Sequence, residues 1–183
     1  MTLPIFQFAL HNAVPVPYRP SANVCVLWLP RGDESYGETM RRIGTVACKK
    51  GAPGIVCLEY DVAVSQELFD EIEYRVKSAE GDVIAAPYLL YPASTRLDHP
   101  VWAHRARNKE GKPRFVSSID PCPQHPMYFG LGCTYLPKAL LAAMPDDLRQ
   151  WDYPRLDSLL SELAQEKGIS CQATIERAIH LHY

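Results

Sequence analysis

The chain has 183 residues, of which 47% are hydrophobic, and its 19 Lys and Arg against 21 Asp and Glu give a formal net charge of -2. This composition excludes a disordered chain, because enough apolar side chains are present to build a core. It also excludes nucleic-acid binding through a bulk positive field. The length predicts one compact domain that spans residues 1–183.

Nothing in the sequence predicts a membrane protein. No apolar segment approaches the roughly 20 residues that span a bilayer, and residues 1–10 lack the basic flank of a secretory signal. We therefore expect no membrane span and a cytoplasmic location. The sequence predicts no particular oligomeric state.

The first part of the chain alternates between strands and helices. Residues 3–10 and 24–29 are expected to be strands. Apolar residues at helical spacing predict a helix over 38–50. The apolar, β-branched run 55–58 is typical of a strand that is covered on both faces.

The same alternation continues along the chain. Ser65 is a candidate N-cap for an amphipathic helix that ends at Gly81, and residues 83–86 are expected to be a strand. This order predicts an α/β fold, with an open and mostly parallel sheet that is flanked by helices.

The second half is less regular. Residues 88–127 are dense in Pro, Arg, His and Asp, and we expect them to form a long irregular loop. Helices are predicted over 137–144 and 157–167, the second with Asp157 as its N-cap and Gly168 as its stop.

Two acids stand directly after the predicted central strand. Glu59 and Asp61 are separated by one residue, and open α/β sheets bind ligands beyond the carboxyl ends of their strands. Carboxylate oxygens there offer a divalent cation one or two hard ligands. The alternative is that both are ordinary loop acids.

Two histidines end the chain. A strand period of two over residues 175–183 places His180 and His182 on one face. Imidazole among oxygen ligands suits Mn²⁺ better than Ca²⁺. The alternative is an exposed polar face on a terminal strand.

A structural zinc site is a further alternative. Cys122 and His125 have Cys-x-x-His spacing, and other candidate ligands lie nearby in the sequence: His99, His104 and Cys133. No second paired motif accompanies them, which favours a proline-rich loop instead.

These pieces, in this order, resemble the nucleotide-sugar glycosyltransferases of the GT-A fold, in a small, single-domain form such as bacteria and their viruses carry. The resemblance runs from about residue 24 to residue 183. The matching pieces are Glu59-Tyr60-Asp61 in the place of an acidic metal motif, the turn Phe129-Gly130-Leu131-Gly132, the acids of Trp151-Asp152 and Leu156-Asp157, and the terminal His180-Leu181-His182.

The resemblance implies a nucleotide-sugar donor, linked to UDP or GDP, and Mn²⁺ or Mg²⁺ on the donor diphosphate. Asp61 with His180 or His182 would hold the metal. An inverting enzyme needs a carboxylate that takes the acceptor proton. Asp157 is the first candidate for this base and Asp152 the second, although Asp157 is equally well explained as a helix cap.

Other residues would contact the donor. Arg41 or Arg42 would reach the diphosphate, and Asp33 would contact the nucleoside, although a solvated surface explains all three equally well. Gly130 and Gly132 would let the backbone approach the sugar, or they serve turn geometry alone.

The resemblance leaves the acceptor open, as a glycan, a protein or a nucleic acid. The sequence leaves two other functions open. One is a non-catalytic α/β module that binds a nucleotide or a glycan. The other is a metal-dependent nucleotidyltransferase.

Overall fold

The structure is a computed structural model. It describes residues 4–9, 25–30, 34–59, 61–79, 81–91, 97–152 and 154–181. For the first two of these ranges the description covers the backbone.

The described strands are β1 (Pro4–Ala9), β2 (Cys25–Pro30), β3 (Gly54–Glu59), β4 (Val62–Ala63), β5 (Val83–Ala85), β6 (Leu89–Leu90), β7 (Val101–Arg107), β8 (Pro113–Ser117), β9 (Cys133–Pro137), β10 (Cys171–Ala173) and β11 (Ile179–His180). The described helices are α1 (Tyr36–Lys49), α2 (Gln66–Ser78), α3 (Lys138–Ala143) and α4 (Leu156–Glu166).

The central sheet has six strands in the order β10-β5-β9-β3-β1-β2. Strand β9 runs antiparallel to its two neighbours, and every other neighbouring pair is parallel. Helices flank this sheet. The predicted α/β fold with a mostly parallel sheet is therefore confirmed.

Strand β3 lies between two layers of core. Ile55 and Cys57 point into one apolar cluster, which also contains side chains of α1, α3 and α4. Val56 and Leu58 point into the other, with the apolar face of α2. This burial on both faces is why an unbroken apolar run forms a strand here.

Side-chain hydrogen bonds cap the N-termini of α1 and α2. Ser35 and Glu38 form a capping box at the start of α1. The Ser65 hydroxyl accepts a hydrogen bond from the Leu68 N–H at 3.2 Å, as the sequence predicts for α2. Gly81 follows α2 with φ of 108° and Gly168 follows α4 with φ of 67°, both in the region that favours glycine.

Two expectations for the second half are wrong. Residues 88–127 do not form one irregular loop, because β6, β7 and β8 pair as a second, antiparallel sheet. Asp157 is not an N-cap: α4 begins at Leu156, and the cap position is Arg155, which makes no side-chain capping bond. In the described tail, pairing is confined to β11, which pairs with β4.

No helix in the described ranges is long and apolar enough to cross a membrane.

Candidate functional site

The end of β3 brings two carboxylates and an imidazole together. Glu59 is the last residue of β3. Asp61 follows it, and His180 reaches the same place because β11 pairs with β4 immediately after Asp61. The His180 Nε2 atom lies 3.2 Å from the Asp61 Oδ2 atom. One potential ligand atom from each of the three side chains lies within 4.8 Å of the others.

Backbone contacts fix the position of His180. The Leu181 N–H donates to the Asp61 carbonyl oxygen at 2.7 Å. Farther back, the Glu71 carboxylate on α2 accepts from the N–H groups of Ile175 and Glu176, both at 2.9 Å. The segment that leads into β11 is therefore anchored to α2 before it reaches the site.

The three groups influence one another electrostatically. Burial, followed by the charge of Asp61, raises the pKa of Glu59 to about 7, against the opposing effect of His180. The hydrogen bond with Asp61 raises the pKa of His180 against the effect of burial. Two acids this close and this well shielded repel each other. A cation would relieve that repulsion.

These residues fit a divalent metal ion. The chemistry of the donor set, two carboxylates and one imidazole, suits Mn²⁺, and carboxylates alone suit Mg²⁺. The side chains of Asp61 and His180 are only 17% and 15% exposed, so the cluster is more than a group of solvated surface acids.

Tyr88 forms one wall beside this cluster. Its ring stacks on the His180 ring, with centroids 5.7 Å apart and planes inclined by 16°. The ring also lies over the glycine turn: a Cβ added to Gly130 would come within 2.5 Å of the Tyr88 hydroxyl, and one added to Gly132 within 2.6 Å of the ring. Both glycines are therefore required by close approach.

The glycine turn is joined to the metal-binding candidates. The Glu59 N–H donates to the Gly132 carbonyl oxygen at 2.9 Å. Behind the turn, the buried His104 imidazole lies between the Ala85 oxygen at 3.3 Å and the Gly130 N–H at 3.4 Å. Because one partner only accepts and the other only donates, the neutral Nε2–H tautomer satisfies both.

Asp157 lies near this group, in the first turn of α4. Its Oδ1 atom accepts from the Ser158 N–H at 2.7 Å. Burial raises the pKa of Asp157, against lowering effects of Ser158 and of the Arg105 charge. Its own charge contributes to the raised pKa of Glu59. The first candidate base is thus electrostatically coupled to the acidic cluster.

Other predicted residues lie elsewhere. Arg41 donates to the Pro145 oxygen and to Asp146, and Arg42 pairs with Glu34. The structure brings neither arginine into contact with Glu59, Asp61 or His180. Asp152 lies in the turn before α4, where its carbonyl oxygen accepts from Arg155 and Leu156.

Asp33 and His182 lie outside the described residues. Their predicted contacts, with the nucleoside and with the metal, stay predictions.

The zinc alternative is wrong for the residues it named. His104 is used between Ala85 and Gly130, and Cys133 is buried in β9. His125 contacts the Cys171 oxygen. Within the described ranges, Glu59, Asp61 and His180 form the one group of three potential ligands close enough to share an ion.

Three residues that shape the site have no predicted role in it from the sequence, namely Tyr88, His104 and Glu71. Tyr88 follows β5 by three positions, so the rule that ligands bind beyond strand ends could have found it. His104 lies on β7, in a segment for which the sequence predicts a loop. Glu71 acts through the backbone of a distant segment, which no local pattern indicates.

Comparison with known proteins identifies the fold. No protein-family model and no curated protein sequence matches the chain. Among solved structures, A197 from STIV is 13% identical, with 94% of this chain and 82% of that chain covered and a TM-score of 0.61. CMP:2-keto-3-deoxy-manno-octonic acid synthetase complexed with CTP is also 13% identical, with 94% and 89% covered and a TM-score of 0.50.

Both likenesses extend over nearly the whole chain. At this identity they show a shared fold, which agrees with the α/β class predicted from the sequence. Function has to be argued from the site itself.

Proposed function

We propose that the chain is a glycosyltransferase that moves a sugar from a UDP- or GDP-linked donor to an acceptor hydroxyl, with Mn²⁺ or Mg²⁺ bound at Glu59, Asp61 and His180. The observation that carries the proposal is the convergence of these three side chains within 4.8 Å at the carboxyl end of a central strand. That end of an open α/β sheet is where ligands bind.

The metal's contribution follows from the chemistry of the leaving group. Cleavage of the bond between the sugar C1 atom and the donor oxygen leaves negative charge on a diphosphate, which a divalent cation stabilises as a Lewis acid. Asp61 and His180 would hold the ion, with Glu59 as a third ligand. His180 is oriented for this by its contact with Asp61 and by the stacked Tyr88 ring.

Asp157 is the proposed base for an inverting transfer. The acceptor oxygen forms a bond to C1, the bond from C1 to the diphosphate breaks, and the acceptor proton passes to the Asp157 carboxylate. Burial raises the pKa of this carboxyl group, so the carboxylate is a stronger base than an exposed aspartate. The Ser158 N–H holds one of its oxygens and so orients the other.

The glycine turn would support the site through Tyr88. The Tyr88 ring occupies the space where side chains at Gly130 and Gly132 would lie, so these glycines serve the packing of that ring rather than a contact with the sugar. The buried His104 holds the Gly130 N–H. We expect the turn to keep its shape whether or not a donor is bound.

A nucleotidyltransferase is the second candidate. It is favoured by the fold shared with a synthetase whose structure was determined with CTP. The same cluster of acids could hold a metal on a triphosphate. The two reactions differ in their products, since a nucleotidyltransferase releases pyrophosphate and a glycosyltransferase releases a nucleoside diphosphate.

The first experiment separates these functions from a binding module. Thermal unfolding is followed with UDP, GDP, CTP and their sugars, each with and without Mn²⁺. The proposal predicts a metal-dependent rise in melting temperature with a nucleotide sugar, and slow release of UDP or GDP as the sugar passes to water. Pyrophosphate from a triphosphate and a sugar phosphate would favour the second candidate. Metal-dependent binding without either product would favour a non-catalytic module.

The second experiment tests the base. Asp157→Asn is expected to keep donor binding and to lose transfer by about 10²- to 10⁴-fold. Asp152→Asn is the matched control and is expected to keep activity. Loss in Asp152→Asn with activity retained in Asp157→Asn would assign the base to Asp152.

A further inference from the structure

The Arg105 guanidinium group contacts two aromatic rings. Its guanidinium carbon lies 4.5 Å from the centroid of the Phe115 ring and 5.8 Å from that of Tyr128. Tyr128 is fixed in turn, because its hydroxyl donates to Glu162 on α4 at 2.8 Å. The Arg105 N–H donates to the Tyr128 carbonyl oxygen, also at 2.8 Å. Contacts with two rings restrict the orientations that the flat guanidinium group can adopt.

An irregularity in the second sheet sets the direction of this side chain. Val101 of β7 pairs with Ser117 of β8, whereas Arg105, four residues on, pairs with Phe115, only two residues back. The strand β7 therefore bulges between these positions. Bulges of this kind re-aim side chains and occur often beside active sites.

The guanidinium group has unused donors. Other arginines of the chain give their N–H groups to carboxylates or carbonyl oxygens: Arg41, Arg42, Arg75, Arg107 and Arg149. Among the described residues, none accepts a hydrogen bond from the Arg105 side chain, and none forms an ion pair with it. Its positive charge is nevertheless close enough to Asp157 to oppose the raised pKa of that carboxyl group.

The charge around the proposed base makes such a cation useful. Glu59, Asp61 and Asp157 all carry carboxyl groups in one region, so an acidic acceptor would be repelled unless a cation compensated. The positive charge of a metal ion at the cluster would be balanced by the negative charge of the donor diphosphate. Arg105 is then a positive charge close enough to Asp157 to compensate.

We propose that Arg105 is a specificity-determining residue that binds a carboxylate or phosphate group of the acceptor and thereby places the acceptor hydroxyl at Asp157. This inference rests on the proposed function. A guanidinium fork matches both groups through two parallel hydrogen bonds. The acceptor class is therefore an acidic sugar or another hydroxyl compound with an anionic group close to the reacting hydroxyl.

The test measures binding of small probes to the whole chain by isothermal titration calorimetry at low salt. The probes are glucuronate, glucose 6-phosphate and neutral glucose, each titrated with Mn²⁺ and UDP present and again with EDTA and no nucleotide. The variant is Arg105→Gln. Arg114→Gln is the matched control, since Arg114 is an exposed arginine of the same sheet and its loss changes the net charge equally.

We expect the wild type to bind at least one charged probe and to bind glucose at least tenfold more weakly. Arg105→Gln should bind that charged probe at least tenfold more weakly, and Arg114→Gln should bind it as the wild type does. Preference for glucuronate or for glucose 6-phosphate assigns the anion as carboxylate or phosphate. Asp157→Asn tests whether Asp157 lies near the bound anion. This variant should bind the charged probe more tightly, because it removes a negative charge beside the probe.

Equal affinity of wild type and Arg105→Gln for the charged probes would overturn the inference, and so would a wild type that binds no charged probe under either condition. Circular dichroism confirms that the variants are folded. Failure of the proposed function is a separate result: it is the absence of Mn²⁺-dependent nucleotide binding, which Arg105→Gln should leave unchanged.

Discussion

Replacing His104 by glutamine is expected to change how the stability of the protein depends on pH. His104 is fully buried, and it joins β7 to β5 through its contact with Ala85 and to the glycine turn through its contact with Gly130. Glutamine offers one donor and one acceptor as well. It can therefore replace the neutral imidazole without introducing a group that titrates.

The expected loss of stability at low pH follows from the pKa of His104. Burial lowers the pKa of His104 from 6.5 to about 4, against the opposing effect of the Ala85 hydrogen bond. As pH falls through 6.5 the unfolded chain takes up a proton that the folded chain refuses, so stability falls, and the loss levels off below pH 4. The whole difference corresponds to about 3 kcal/mol. About 2 kcal/mol of it is lost between pH 7 and pH 5.

The assay is urea unfolding of wild type and His104→Gln at pH 7 and pH 5, followed by tryptophan fluorescence. At pH 7 the variant should be less stable by about 1 kcal/mol, because its hydrogen bonds are less well placed. Between pH 7 and pH 5 the wild type should lose about 2 kcal/mol more than the variant. Groups that titrate in both proteins cancel in this comparison. Equal losses in the two proteins would refute the placement of a neutral buried imidazole.

Three further changes test the supports of the site. Glu71→Ala removes the acceptor of the Ile175 N–H and should cost about 1–3 kcal/mol and weaken Mn²⁺ binding; unchanged Mn²⁺ affinity would mean that this contact does not position His180. Gly132→Ala should destabilise the fold by about 1–3 kcal/mol, because the added methyl group clashes with Tyr88. Adding Tyr88→Leu should recover part of this loss of stability, and no recovery would mean that the strain lies elsewhere. Ser65→Ala should cost about 1 kcal/mol through loss of the α2 cap, and a change below a few tenths measured by thermal unfolding would count against that cap.

Local signals made the first half of the fold predictable. The α2 helix follows from one apolar stripe, a Ser65 cap and a Gly81 stop, and each acts within a few residues. Strand β3 is predicted by an unbroken apolar run, which is typical of a strand that is buried on both faces. The position of Glu59 and Asp61 at its end then follows from the fold rule for open sheets.

The second sheet could not be predicted in this way. Strands β7 and β8 contain arginines, a histidine and a proline at positions that local propensity assigns to loops. Their stability comes from non-local contacts, such as Arg105 between Phe115 and Tyr128. The sequence predicts Asp157 as a cap because it precedes an apolar run, whereas Leu156 before it already packs in the core as the first helical residue.

The same limit applies to the candidate site. Its two acids are separated by only one residue, and the sequence predicts both as metal ligands. Their meeting with His180 depends on the pairing of β11 with β4 across more than a hundred residues, for which the sequence offers only an alternating tail. Tyr88 and Glu71 act through stacking and through a distant backbone, and neither contact has a sequence pattern of its own.

We propose that Glu59, Asp61 and His180 hold one divalent metal ion. Electron paramagnetic resonance of Mn²⁺ titrated into the purified chain with UDP present tests this proposal. Asp61→Asn is compared with Asp98→Asn, a control at an exposed aspartate. The account predicts one Mn²⁺ per chain in the wild type and in Asp98→Asn, and at least tenfold weaker binding in Asp61→Asn. Equal affinity in all three proteins would contradict it.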